Sequence, residues 1–136
     1  MAQALTPGMI RLVEEPSYAQ IATLNPDGSP HLTEVWVDTD GSHLLVNVAD
    51  TRQKTKNVRR DPRVAVQVID PTNAWRLITV TGRVVEITAE GADEHIDKLA
   101  KKYLGQERYP WRNPAEQRLI LKILPEKVRL GSVPLE

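Results

Sequence analysis

The dipeptide Asp40-Gly41 constrains this chain more than any other feature. Asp-Gly between two apolar runs is a two-residue hairpin signal, because glycine supplies the positive φ that such a turn needs. It predicts that Thr39 pairs with Ser42, Asp38 with His43, Trp36 with Leu45, Val35 with Val46 and Thr33 with Val48. A second turn, Asn25-Pro26-Asp27-Gly28, suits a type I turn followed by a glycine bulge. The two turns delimit three strands, at residues 18–24, 31–38 and 42–49, in an antiparallel meander. A one-residue slip would turn every side chain to the wrong face, so the register matters.

The rest of the chain continues in strands. Val64, Val66 and Val68 alternate along a strand at residues 63–70. Residues 75–87 form a long strand in which Gly82 marks a bend or bulge. A last strand covers residues 118–124 and extends toward Leu130. Three helices flank them. Thr6-Pro7 opens the first as N-cap and first helical residue, and Pro16 ends it. Residues 51–60 form a short basic helix stopped by Asp61-Pro62. Thr88 is read as the cap of the third, in which Ile96, Leu99, Ala100 and Tyr103 make an apolar stripe and Gly105 takes the C′ position. The expected fold is mainly β: a single domain over residues 1–136, a six-stranded antiparallel barrel with a few flanking helices.

Several chemistries are excluded. There is no cysteine, hence no disulfide, thiolate metal site or Cys nucleophile. No two of the seven glycines are separated by a single residue, which argues against a dinucleotide fold or a P-loop. His31, His43 and His95 are too dispersed for a three-ligand metal site and read as surface histidines. Lys plus Arg equals Asp plus Glu at 18 each, without the basic excess of most nucleic-acid or anionic-membrane binders. The N-terminal residues show no basic start before an apolar stretch, so a soluble, cytoplasmic protein is expected.

One segment is chemically suggestive. Residues 52–63 hold six basic residues and one acid, a net +5 in a chain of net zero. The segment begins at a helix N-terminus, where free N–H groups and the helix dipole favour an anion. Arg52 and Lys54 oppose that dipole, so an anionic ligand explains their placement better than helix stability does. A solvated basic face and a nucleic-acid patch are the competing readings. The second is weakened by the absence of interleaved aromatic residues. The phosphate of a small cofactor fits best.

Several runs together resemble the split-barrel flavin/deazaflavin family: residues 28–38 (GSPHLTEVWVD), residues 44–49 (LLVNVA), the spaced Arg52, Lys54, Lys56 and Asn57, residues 60–64 (RDPRV), residues 82–87 (GRVVEI) and residues 108–111 (RYPW). The resemblance is nearest to the pyridoxamine-phosphate-oxidase-like, deazaflavin-dependent reductases of actinobacteria. It implies a homodimer with two cofactor sites at the interface and the deazaflavin coenzyme F420 as cofactor, FMN being the alternative. By position, Arg52, Lys54 and Asn57 would hold the phosphate. The backbone of Val35, Trp36, Asn47, Val48 and Ala49 would line the ring, and Trp75 and Arg76 of the other subunit would close the site. Trp36 reads equally as an ordinary core aromatic, and Trp75, at a strand start, reads more as a structural residue than as a ligand contact. The implied activity is hydride transfer between reduced F420 and an organic acceptor. An FMN-binding oxidase-like protein and a cofactor carrier without turnover are the alternatives.

Overall fold

The computed structural model describes residues 2–135; the expected domain ends, Met1 and Glu136, lie outside them. The elements are α1 (Pro7–Glu14), β1 (Tyr18–Leu24), β2 (Pro30–Val35), β3 (Val37–Thr39), β4 (Leu44–Ala49), α2 (Gln53–Arg60), β5 (Arg63–Asp70), β6 (Asn73–Thr88), α3 (Ala92–Leu104) and β7 (Arg118–Leu130). The strands pair antiparallel in the order β2-β1-β5-β6-β7-β4-β3. Both edge strands come from one stretch of chain, since only Trp36 separates β2 from β3. The sheet therefore curls round until its first and last strands meet, which makes it a barrel with one split. Seven strands stand where six were expected, because the strand expected at residues 31–38 is interrupted at Trp36.

The hairpin register is also corrected. Val37 pairs with Val46, Asp38 with Leu45 and Thr39 with Leu44, two residues away from the expected register. Asp40 accounts for the longer loop: its Oδ1 accepts from the backbone N–H of Ser42 (2.9 Å) and His43 (2.8 Å). Thr39 Oγ1 donates to the His43 carbonyl at 2.6 Å, closing a four-residue loop with Gly41 at φ 94°. A shift of two keeps every side chain on its intended face. The expected pairs of Val35 with Val46 and Thr33 with Val48 do not form. Val35 pairs with Ala19 and Thr33 with Ile21 on β1 instead. The gap that opens between β2 and β4 is the split of the barrel.

Ile21, Val37, Leu44, Val46, Val66, Ile78, Leu121 and Ile123 fill the barrel, fully shielded from solvent. Leu12 and Val13 of α1 join this core. β6 bends where its register against β7 shifts between Thr81 and Gly82. A Cβ at Gly82 would lie 2.0 Å from the Leu124 carbonyl oxygen, so only glycine allows the strands to approach there. The third helix starts later than expected. β6 runs through Thr88, whose Oγ1 accepts from Glu90 N, and the N-cap is Gly91 in the left-handed region. Its stripe of Ile96, Leu99 and Ala100 is buried, and Gly105 ends it at φ 72°. Among the described residues no helix is long and apolar enough to cross a membrane.

Candidate functional site in the split of the barrel

The split holds a cleft of about 400 Å³, within the range of cofactor sites. One wall is the end of β2 with the break that follows it: Thr33, Glu34, Val35 and Trp36. The facing wall is the end of β4, with Asn47, Val48 and Ala49. These strands diverge instead of pairing, so their ends are spread by the width of the cleft. At its rim β4 runs into α2, held there by Thr55 Oγ1 donating to the Ala49 carbonyl at 2.7 Å. Arg52 is the N-cap of α2, with no side-chain capping bond and no acidic residue in the first turn.

Arg52 and Lys54 both line the cleft. Lys54 Nζ donates to Thr33 Oγ1 at 3.1 Å. Burial, then repulsion from Arg52 and Arg118, pulls the Lys54 ammonium below its ordinary pKa, and Glu34 alone opposes this. A third cation, Arg118 at the start of β7, faces the same space. Its Nε donates to Asn47 Oδ1 at 2.8 Å, and its guanidinium carbon lies 5.2 Å from the centre of the Tyr109 ring. Three cations with one lining carboxylate make a donor-rich site for an anion.

Aromatic rings form the other part of the site. Trp36 stacks on Tyr103 at 5.3 Å and 6° between planes. Tyr109 meets Trp36 edge-on at 5.9 Å, and Trp111 lies 6.5 Å from it. Trp36 therefore serves as packing and as lining at once. Tyr103 hydroxyl holds the strand break in place: it accepts from Val37 N at 3.3 Å and donates to the Ser17 carbonyl at 2.9 Å. The site thus joins flat apolar surface to clustered positive charge, which suits a planar cofactor bearing phosphate.

A smaller cleft of about 240 Å³ shares Thr33, Arg52 and Lys54 and adds His31 and Gln53. His31 Nδ1 is buried with no hydrogen-bond partner among the described residues.

The structure brings together Val35, Trp36, Asn47, Val48, Ala49, Arg52 and Lys54. It does not bring in Asn57. That side chain is fully buried, and its amide donates to Thr23 Oγ1 and Asn25 Oδ1, both at 3.0 Å, tying α2 to β1. Trp75 and Arg76 stand at the start of β6, outside the cleft lining of their own chain. Trp75 is exposed, and Arg76 is paired with Glu15 at 2.8 Å and Asp70 at 3.1 Å. Sequence reasoning missed Arg118, Tyr109, Trp111 and Ile96 as lining residues. The aromatic cluster at residues 109–111 was visible, but the irregular segment around it has no periodicity to show which way it faces. His95, read as a surface residue, is buried.

Residues 5–131 match the pyridoxamine 5'-phosphate oxidase family. Among solved structures, an F420 reductase is 31% identical over 92% of this chain and 98% of its own, with a TM-score of 0.79. HupZ from Group A Streptococcus is similar in fold at 20% identity, covering 97% of this chain and 98% of its own, with a TM-score of 0.67. A conserved hypothetical protein from Mycobacterium tuberculosis shares the fold at 23% identity, covering 99% of this chain and 92% of its own, with a TM-score of 0.66. The chain belongs to the pyridoxamine 5'-phosphate oxidase family and has its flavin-type oxidoreductase fold.

Proposed function

We propose that this protein is an oxidoreductase that binds F420 in the split of the barrel and transfers a hydride between the reduced deazaflavin and an organic acceptor. The observation that carries this reading is the cleft between β2 and β4, where Arg52, Lys54 and Arg118 converge beside the Trp36 aromatic group. Similarity to an F420 reductase along nearly the whole chain supports it. F420 bears a phosphodiester and an acidic glutamyl tail, so it carries more negative charge than FMN. The adjoining smaller cleft, lined by His31, Gln53, Arg52 and Lys54 without a carboxylate, supports the choice of the more anionic cofactor.

The bound deazaflavin supplies the hydride chemistry, and the protein supplies binding, orientation and exclusion of water. Arg52 and Lys54 hold the phosphate, and the ends of β2 and β4 line the ring. Asn57 acts behind them by keeping α2 against β1. No side chain is assigned as a proton donor. The protein acts as a homodimer in which Trp75 and Arg76 of the second subunit close the site. The exposed apolar side chains Tyr18, Leu32 and Trp75 support an interface.

A second reading, an FMN-binding oxidase-like protein, is favoured by the family match itself. Turnover separates the enzyme from a cofactor carrier. Purified protein should accelerate reoxidation of reduced F420 by at least one quinone, enone or tetrapyrrole. Tight binding with no acceleration across such a panel would favour the carrier.

A further inference from the structure

A buried polar chain runs from the floor of the cleft to α3. Asn47 Oδ1 accepts from Arg118 Nε at 2.8 Å. The Asn47 amide nitrogen donates to the Ala92 carbonyl at 2.9 Å and faces His95 Nδ1 at 3.1 Å. His95 Nε2 faces Asp38 Oδ2 at 3.1 Å, and Lys98 Nζ reaches the same oxygen at 3.0 Å. Asp38, Asn47 and His95 are all buried.

Only one arrangement of protons satisfies every link. Arg118 Nε can only donate, so Asn47 must present its oxygen to Arg118 and its amino group to His95 and Ala92. His95 Nδ1 must then be bare and accept, which puts the ring proton on Nε2, donating to the Asp38 carboxylate. Burial disfavours charge on Asp38, yet hydrogen bonds from His95 and Lys98 hold its carboxyl well below the ordinary carboxylate range. The carboxylate end is thus anchored, and the direction of each bond follows from it back to Arg118.

Arg118 is the only member of this chain that is a cation in the cleft. Its Nε is used by Asn47, and Tyr109 packs against the guanidinium. Among the described residues no hydrogen bond or ion pair engages its two terminal nitrogens. A half-buried guanidinium held at Nε, with its other donors free, is prepared for an anionic or carbonyl oxygen.

We infer that Arg118 is a ligand-binding residue of the cleft, taking an oxygen of the bound flavin-type cofactor through its terminal nitrogens, and that His95 is its positioning residue, acting through Asn47. This rests on the cleft being the cofactor site, but not on whether the cofactor is F420 or FMN.

A double-mutant cycle on cofactor affinity tests it, with F420 and FMN titrated in parallel by fluorescence. Failure of F420 alone to bind would count against the proposed cofactor, and the cycle would then be read with FMN. Arg118→Ala should weaken binding about ten- to a hundredfold. His95→Gln keeps a donor for Asp38 but loses the acceptor for Asn47, and should weaken binding between about two- and tenfold. In the Arg118→Ala background, His95→Gln should change affinity by less than about twofold, because the residue through which it acts is gone. A purely structural His95 gives the same loss in both backgrounds, and that additivity would overturn the inference, as would unchanged affinity in Arg118→Ala. If His95→Gln does not fold, nitrogen chemical shifts of His95 in the wild-type protein decide its part. Nε2 should be protonated and Nδ1 bare, and Arg118→Ala should shift the Asn47 amide and the His95 Nδ1 resonances. A proton on Nδ1, or unmoved resonances, would overturn the assignment.

Discussion

Among single residues, Lys54 marks the cleft most directly as a place for an anion. It is a half-buried ammonium beside two other cations, and its hydrogen-bond partner is the Thr33 hydroxyl. Such a residue detracts from the empty fold and gains its partner when an anion binds. Lys54→Ala should weaken cofactor binding about ten- to a hundredfold, the worth of one charge-assisted hydrogen bond. The unfolding midpoint of the empty protein should stay unchanged or rise slightly, since a cation leaves a helix N-terminus. Arg52→Ala should behave alike. Arg63→Ala should matter less, because Arg63 is exposed and bound to Asp61 at 2.7 Å outside the cleft. Calorimetric titration with a thermal melt of each variant checks all three. A loss of stability with affinity intact would make the basic segment structural. Much of this was legible in the sequence, because Arg52 and Lys54 sit where cations oppose the helix dipole. Asn57 carried no such mark: an amide inside a basic helix looks the same whether it faces a ligand or, as here, Thr23 and Asn25. Arg118 was hidden for a different reason, since its relation to Asn47 spans the whole second half of the barrel.

At the scale of the element, the turns and strand patterns were readable because they depend on neighbours in sequence. The Thr6 cap, the Gly28 turn, the Gly82 bend and the Gly105 stop all occur where local chemistry requires them. What local pattern could not convey was the break at Trp36. Residues 31–38 read as one strand, and only closure of the barrel divides the run between two edges. The helix α3 braces that break through Lys102, whose ammonium donates to the carbonyls of Val13 and Val37, both at 2.6 Å. Burial lowers the Lys102 pKa to about 8. An unfolded lysine holds its proton to about pH 10.4. Between these values the unfolded chain binds more protons than the folded one, so this group makes stability rise with pH across that window. The neutral amine still has two N–H bonds to offer the two carbonyls. Denaturant unfolding from pH 8 to 10 should show Lys102→Met with a shallower rise than the wild type. An equal slope in both would place the titrating group elsewhere.

On the scale of the whole molecule, the site follows from topology. A strand that serves both edges of one sheet must leave its neighbour somewhere, and it leaves β4 just where β4 runs into the basic helix. The same event supplies the gap, the flat Trp36 surface beside it and the N-terminus that carries the cations. The central claim, that this gap is an F420 site, is tested most directly by titrating empty protein with F420 and with FMN, side by side, by fluorescence at low and high salt. F420 should bind more tightly than FMN, and its affinity should fall markedly with salt, because the charged contacts are partly exposed. Equal or reversed affinities, or an F420 affinity indifferent to salt, would contradict the account.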